Sequence, residues 1–308
     1  MSFAPILISV YNRPDHFLKC INSLSECEGA KSSILYITSD YAKTEKDTNA
    51  VSKVREIIKN IKGFKKVIPV FTETNSNGKV INDTHSEILE KYGLVIYAED
   101  DNIFSKQFLN YMNEGLRKFK NDPNVFSISG YNYPIEIKNR EQEIYFWTGF
   151  SAWGYATWRD KYFKMKSLMT PNENGIYYIK DFMSSIFNIK KLSKISPHYI
   201  PALTHCLKNN KVYVDSFVCL YMFNENMLTV FPKATYVRNI GHDGSGLHCV
   251  GLNDDIYLKQ ELNNNFDPIY LDEQITSDSY ILGLLKNHFQ ISWKIKIKTI
   301  YELIKHKY

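Results

Sequence analysis

Residues 94–104 read LVIYAEDDNIF, an apolar, β-branched run that empties directly into Glu99-Asp100-Asp101. Adjacent carboxylates repel one another and are tolerated cheaply only where water or a cation neutralises them. In an α/β sheet, polar chemistry collects beyond the carboxyl ends of buried strands, so the triplet marks a candidate functional rim.

Four other runs share the pattern of the first: PILISV (5–10), ILYITS (34–39), KKVIPVF (65–71) and NVFSISG (124–130). They read as buried strands of a largely parallel sheet. Helical patterns lie between them, at Pro14 to Leu24, Asn49 to Ile61, Asp83 to Tyr92 and Ser105 to Phe119. The alternation predicts a doubly wound, Rossmann-like α/β layer. Three strand ends then bring polar groups to one rim: Tyr11-Asn12-Arg13, Ser39-Asp40 and Glu99-Asp100-Asp101.

The 308 residues, 44% of them hydrophobic, are enough for a substantial core. Five cysteines without a CxxC pair argue against a disulfide framework or a structural zinc and for a cytosol-like compartment. The opening MSFAPILISVYNRP reads as a first strand and not a signal peptide, and no run reaches the ~20 apolar residues of a membrane span. The expected location is cytoplasmic, soluble or peripheral at a membrane.

The net charge of +5 is accounted for by residues 286–308, where six lysines face the single acid Glu302. A neutral body with a basic tail is not the footprint of a nucleic-acid binder, so no nucleic-acid partner is expected. The tail spaces Leu285, Phe289, Trp293, Ile297, Ile300 and Ile304 at helical intervals, although ISWKIKIK (291–298) also alternates like an edge strand. It is either a basic amphipathic helix on an anionic membrane surface or a helix docked on the body.

The acid triplet itself has three readings: a solvated loop or helix N-terminus capped by Ser105, a Mg or Mn site of hard oxygen ligands, or a pair of acid/base carboxylates. Adjacency favours the metal, since acid/base pairs are separated across a cleft. Beside it, Tyr11, Arg13 and Asp40 offer stacking and hydrogen-bonding groups for a nucleotide base, although each also fits a turn. The aromatic stretch YFWTGFSAWGYATWRDKYF (145–163) reads as core or as a cleft wall, with Trp153, Gly154 and Trp147 the candidate ligand contacts.

Taken in order, PILISVYNRPDHFLKCINSL (5–24), YITSD (36–40), VIYAEDDNIFSKQFLNYMNEGL (95–116), SISGYN (127–132), FSAWGYATWRDKY (150–162) and NIGHDGSGLH (239–248) resemble the nucleotide-sugar-dependent glycosyltransferases of the GT-A fold. The likeness is to a bacterial sugar-transferase family of polysaccharide gene clusters and, more distantly, to the N-acetylglucosaminyltransferase I class. It implies that Asp101 is the main ligand to Mn or Mg, with Asp100 near the ribose or the metal's water shell and Glu99 near the sugar. It implies that Arg13 and Asp40 hold uracil, and that His248 completes the metal shell or contacts the diphosphate. The inverting members use a general base in the second half of the chain, which points to Asp215 in KVYVDSFVCLYMF (211–223). The family's Asp-Ser-Trp-Asp is replaced here at its last two positions by Phe217 and Val218.

The implied activity is transfer of a hexose or N-acetylhexosamine from a UDP-sugar to a surface-glycan acceptor, free or lipid-linked. A sugar nucleotidyltransferase and a non-catalytic carbohydrate-binding protein on the same scaffold are the rivals. The expected organisation is one domain over 1–254, with a nucleotide half (1–132) and an acceptor half (133–254), followed by a basic helical extension over 255–308.

Overall fold

The computed structural model describes residues 3–138, 141–244, 256–266 and 275–306. In chain order its elements are β1 (Ile6–Val10), α1 (Pro14–Ser25), β2 (Ile34–Ser39), α2 (Thr48–Lys59), β3 (Lys66–Phe71), α3 (Lys79–Tyr92), β4 (Leu94–Glu99), β5 (Asn102–Phe104), α4 (Phe108–Lys118) and β6 (Val125–Ser129). The second half adds β7 (Ile144–Trp147), β8 (Tyr155–Trp158), α5 (Arg159–Met169), α6 (Asn172–Met183), α7 (Ile186–Ile195), α8 (Tyr199–Lys208), α9 (Val214–Asn224), β9 (Leu228–Pro232), β10 (Val237–Asn239), α10 (Ser279–His288) and α11 (Trp293–His306).

The expected α/β architecture is present. Eight strands form one sheet in the order β3-β2-β1-β4-β8-β6-β9-β7, and β5 pairs with β10 in a separate ribbon. The first four strands are parallel, whereas β8 runs antiparallel to both β4 and β6, and β7 antiparallel to β9. The sheet is therefore mixed, with its antiparallel part built by the second half of the chain. β3 also departs from expectation: it is the edge strand and half exposed, which suits Pro69, a residue with no N–H to donate.

Side chains alternate between two cores. Ile6, Ile8 and Val10 face one, packed under α1, α2 and α4, while Leu7 and Val95 face the other, packed under α3 and the helices of the second half. α1 illustrates the fit of sequence to layer. Pro14 opens it at a position where the missing N–H costs nothing, and Phe17, Cys20, Ile21 and Leu24 form its buried stripe. At the end of α3, Gly93 adopts φ +78°, a left-handed cap that stops the helix and turns the chain directly into β4.

The weakly patterned stretch after residue 158 folds as four helices, α5 to α8, followed by α9. In α9 the residues Phe217 to Met222 are all buried, so the apolar run around Asp215 is a helix surrounded on most sides. Much of the aromatic stretch is core. Trp147 is 1% exposed and packs on Tyr199, Phe231 and Phe289, so it lies away from any cleft. Two further helices, α10 and α11, form the expected C-terminal appendage. Among the described residues no helix is long and apolar enough to cross a membrane.

Candidate active site

β1 and β4 are parallel neighbours in register Ser9↔Glu99, so the turns that leave them lie side by side. Arg13 thereby reaches the acid turn: one of its guanidinium nitrogens donates both to Asp100 Oδ1 and to Asp101 Oδ2, the latter at 2.8 Å. Both carboxylates are buried, at 5% and 6% exposure. The repulsion built into the sequence is thus answered within the chain by a single cation bridging two acids.

Asp101 is fixed from the opposite side by the β10 segment. Its Oδ1 accepts from Asn239 Nδ2 at 2.7 Å and Asn102 Nδ2 at 3.1 Å, and its carbonyl accepts from Ile240 N at 2.8 Å. Asn239 Oδ1 in turn accepts from Gly241 N at 2.8 Å, drawing the backbone across the acid turn. A Cβ at Gly241 would stand 2.1 Å from Asp101 Oδ2, so only glycine permits this approach.

Glu99, one residue earlier, is half buried, and its carboxyl is pushed up to about 8. Burial is the largest cause, followed by the charges of Asp101, Asp215 and Asp100, with Arg13 opposing them. Burial likewise raises Asp100 to about 6 against the pull of Arg13. Behind Glu99 lies an aromatic layer in which Tyr97 bonds Ser9 (2.8 Å) and Tyr155 bonds His85 Nε2 (3.0 Å). Desolvation, with the charge of Lys166, lowers His85 to about 3, which favours the neutral imidazole near pH 7.

Asp215 occupies the first turn of α9, where the helix dipole favours an anion. Its side chain is open to water, yet the protein around it raises its carboxyl to about 6. Its charge acts on Glu99, Tyr97 and Tyr155, so the start of α9 lies near the end of β4.

Glu99 provides a test of this electrostatic picture. It keeps its proton to about pH 8 in the folded protein, whereas its ordinary value is 4.5. The native state therefore binds more protons than the unfolded one across that window, and stability falls as pH rises through it. Glu99→Gln should remove the part of the decline between about pH 6 and 8, read as melting temperature against pH. An unchanged slope would show that Glu99 titrates normally.

The other predicted residues are dispersed around this centre. Asp40 accepts from Tyr41 N, Thr72 Oγ1, Ser76 N, Ser76 Oγ and Gly78 N, bonds that outweigh its burial and hold its carboxyl below the ordinary value. It thereby shapes the loop that starts α3 four residues before the predicted Asp83, with Ser76 Oγ accepting from Val80 N. Its carboxylate is taken up by the chain itself. Tyr11 is likewise engaged, donating to Asp47 (3.1 Å) and accepting from Lys43 N (2.7 Å).

Trp153 stands half buried, edge-on to Tyr131 at 4.8 Å and to His242 at 5.4 Å, and so shares a wall with the Gly241 segment. Gly154 has φ +71°, and a Cβ there would lie 2.8 Å from Val237. It lets β8 start against β10. His248 lies outside the described residues. Ser105 accepts from Gln107 N at 3.1 Å, ahead of α4, whose first residue is Phe108 and not Ser105 as the sequence pattern predicts.

Among the described residues no three His, Cys, Asp or Glu side chains gather as a metal cage. The acid turn nevertheless fits a hard divalent cation. Oxygens of Asp100 and Asp101 already converge on one cationic nitrogen, that of Arg13.

No protein-family model and no curated protein sequence matches the chain. Solved structures do. A GalNAc-T7 structure with UDP, GalNAc and Mn2+ matches 78% of this chain at 10% identity and TM-score 0.47. S. aureus TarS matches 79% at 12% identity and TM-score 0.39. The mannosyltransferase PcManGT from Pyrobaculum calidifontis, in complex with GDP-Man and Mn2+, matches 51% at 14% identity and TM-score 0.33. The chain covers 44%, 37% and 44% of those three chains respectively, less than half of each.

Proposed function

We propose that the chain is a metal-dependent, UDP-sugar glycosyltransferase of the GT-A type. The observation that carries the reading is the pair Asp100–Asp101 at the end of β4, clamped between Arg13 and the Asn239–Gly241 segment, with Asp215 near enough for its charge to act on Glu99. A site made only for stability would gain nothing from raising the carboxyls of Glu99, Asp100 and Asp215 at once, whereas a site for sugar transfer needs a cation-binding pair and a separated base.

In this reading Asp101, assisted by Asp100 and by His248, holds Mn or Mg. An ion held there would supply positive charge against the diphosphate of the departing UDP. Tyr11, Arg13 and the loop shaped by Asp40 form the nucleotide side of the rim. Glu99, protonated at neutral pH, donates a hydrogen bond to a hydroxyl of the donor sugar. Trp153 offers the face on which a sugar ring stacks through its C–H groups.

Asp215 takes the proton of the acceptor hydroxyl. The acceptor oxygen then forms its bond to the anomeric carbon as the bond to the diphosphate oxygen breaks, and the electron pair leaves with UDP. Attack opposite the leaving group inverts the anomeric centre. The donor is a UDP-hexose or UDP-N-acetylhexosamine, and the acceptor a surface glycan, free or lipid-linked, met at the cytoplasmic face of a membrane.

The direct test is to incubate the purified protein with a panel of UDP-sugars and Mn and to measure UDP release. Slow hydrolysis of one or two donors, accelerated by added glycan acceptor, is expected. Absence of UDP release from every donor, with and without acceptor, would contradict the assignment.

A further inference from the structure

Helix α11 packs on α8 with Thr299, Glu302 and the half-buried Leu303 inward, and leaves most of its other apolar residues facing out, unlike an ordinary surface helix. Its most buried positions are Thr299 and Glu302, each 9% exposed, and Glu302 pairs with Lys208 of α8 at 3.2 Å. Trp293, Ile297, Ile300, Tyr301 and Ile304 point outward, between 56 and 70% exposed. At about 100° per residue these five side chains fall within an arc of roughly 100°. Lys294, Lys298 and Lys305 run along one margin of that arc, and Lys296 along the other.

We propose that this face of α11 seats the protein on an anionic lipid bilayer. The apolar stripe enters the headgroup boundary while the flanking lysines, with their aliphatic stems along it, reach the phosphates. Trp293, at the helix start, suits the interface by its amphipathic ring. Charge selects this occupant. Glu302, the one acid of residues 286–308, is turned inward onto Lys208, which leaves the outward face with positive charge alone. A second copy docked by the same stripe would set lysine margin against lysine margin, whereas anionic headgroups complement both. The inference deepens the proposed function by naming the surface at which the enzyme works, but it rests on the helix and not on the chemistry of the cleft.

Vesicle flotation of the full chain tests it without any catalytic readout. The wild type should float with vesicles containing phosphatidylglycerol and remain behind with phosphatidylcholine alone, and about 0.5 M salt should weaken the binding. Ile297→Glu with Ile304→Glu, both at exposed positions, should reduce binding about tenfold or more. Lys294→Gln with Lys298→Gln and Lys305→Gln should do the same while leaving the apolar stripe intact. Failure of the wild type to float with anionic vesicles, or flotation undiminished in either variant, would overturn the proposal. So would light scattering that shows a dimer which Ile297→Glu with Ile304→Glu converts to monomer, without vesicle binding.

Discussion

Asp101→Asn should lower turnover roughly 10²- to 10³-fold while leaving the fold intact, the scale expected when one preorganised electrostatic partner of a leaving group is removed. The substitution keeps the size of the side chain and an oxygen that can accept from Asn239 and Asn102, so the β5–β10 ribbon has no cause to separate. What it removes is a charge. Arg13 would then be shared with Asp100 alone, and the cation site would lose the better buttressed of its two carboxylates. Loss of one of the charges acting on Glu99 should also ease its carboxyl back toward the ordinary value. Steady-state rates with the best UDP-sugar donor, alongside circular dichroism melting, measure both consequences. Loss of activity accompanied by unfolding would indicate a structural role, and unchanged activity would move the metal elsewhere.

Asp215→Asn is expected to reduce kcat about 10²- to 10⁴-fold, the range of a general base, with little change in UDP affinity. Its pH behaviour is more diagnostic than its size. The base must be ionised to accept a proton, and desolvation by the surrounding protein raises Asp215 to about 6, so kcat/KM should rise with pH through about 6. Glu99 must keep its proton to donate to the sugar and is held at about 8, so activity should fall again above about 8. The two limbs are macroscopic properties of the interacting acids. Glu99→Gln should flatten the alkaline limb and leave the acidic one. A wild-type profile that stays flat from pH 5 to pH 9 would remove Asp215 from the role of base.

The early strands and helices were legible because each is a short apolar run followed by a helical stripe, as in Ile6–Val10 and the Phe17, Cys20, Ile21, Leu24 face of α1. The acid turn was legible because like charges in sequence are costly without a partner. Its partner was not. Arg13 reaches Asp100 and Asp101 only because β1 and β4 are adjacent in the sheet, a fact of topology and not of spacing. Asn239 and Gly241 were hidden for the same reason, being far from Asp101 along the chain, although three glycines in NIGHDGSG were a hint of close approach.

The helices α5 to α8 escaped because their apolar positions serve a shared core beneath the sheet and leave little clean periodicity. Of the two readings open for the aromatic stretch, core and cleft wall, the core holds for much of it. Trp147 and Trp153 share one segment, yet strand β7 buries the first while the loop before β8 leaves the second half open. For Asp40 the sequence signalled a polar strand end correctly, but not that five donors of its own chain would surround the carboxylate.

The central claim is that the acid turn binds a nucleotide diphosphate through a divalent cation. Calorimetric titration of UDP into the wild type and into Asp101→Asn, each with and without Mn, tests it most directly. The account predicts binding to the wild type that depends on Mn and is lost in the variant. Binding that is equal in the two proteins, or no binding of UDP under any condition, would contradict it.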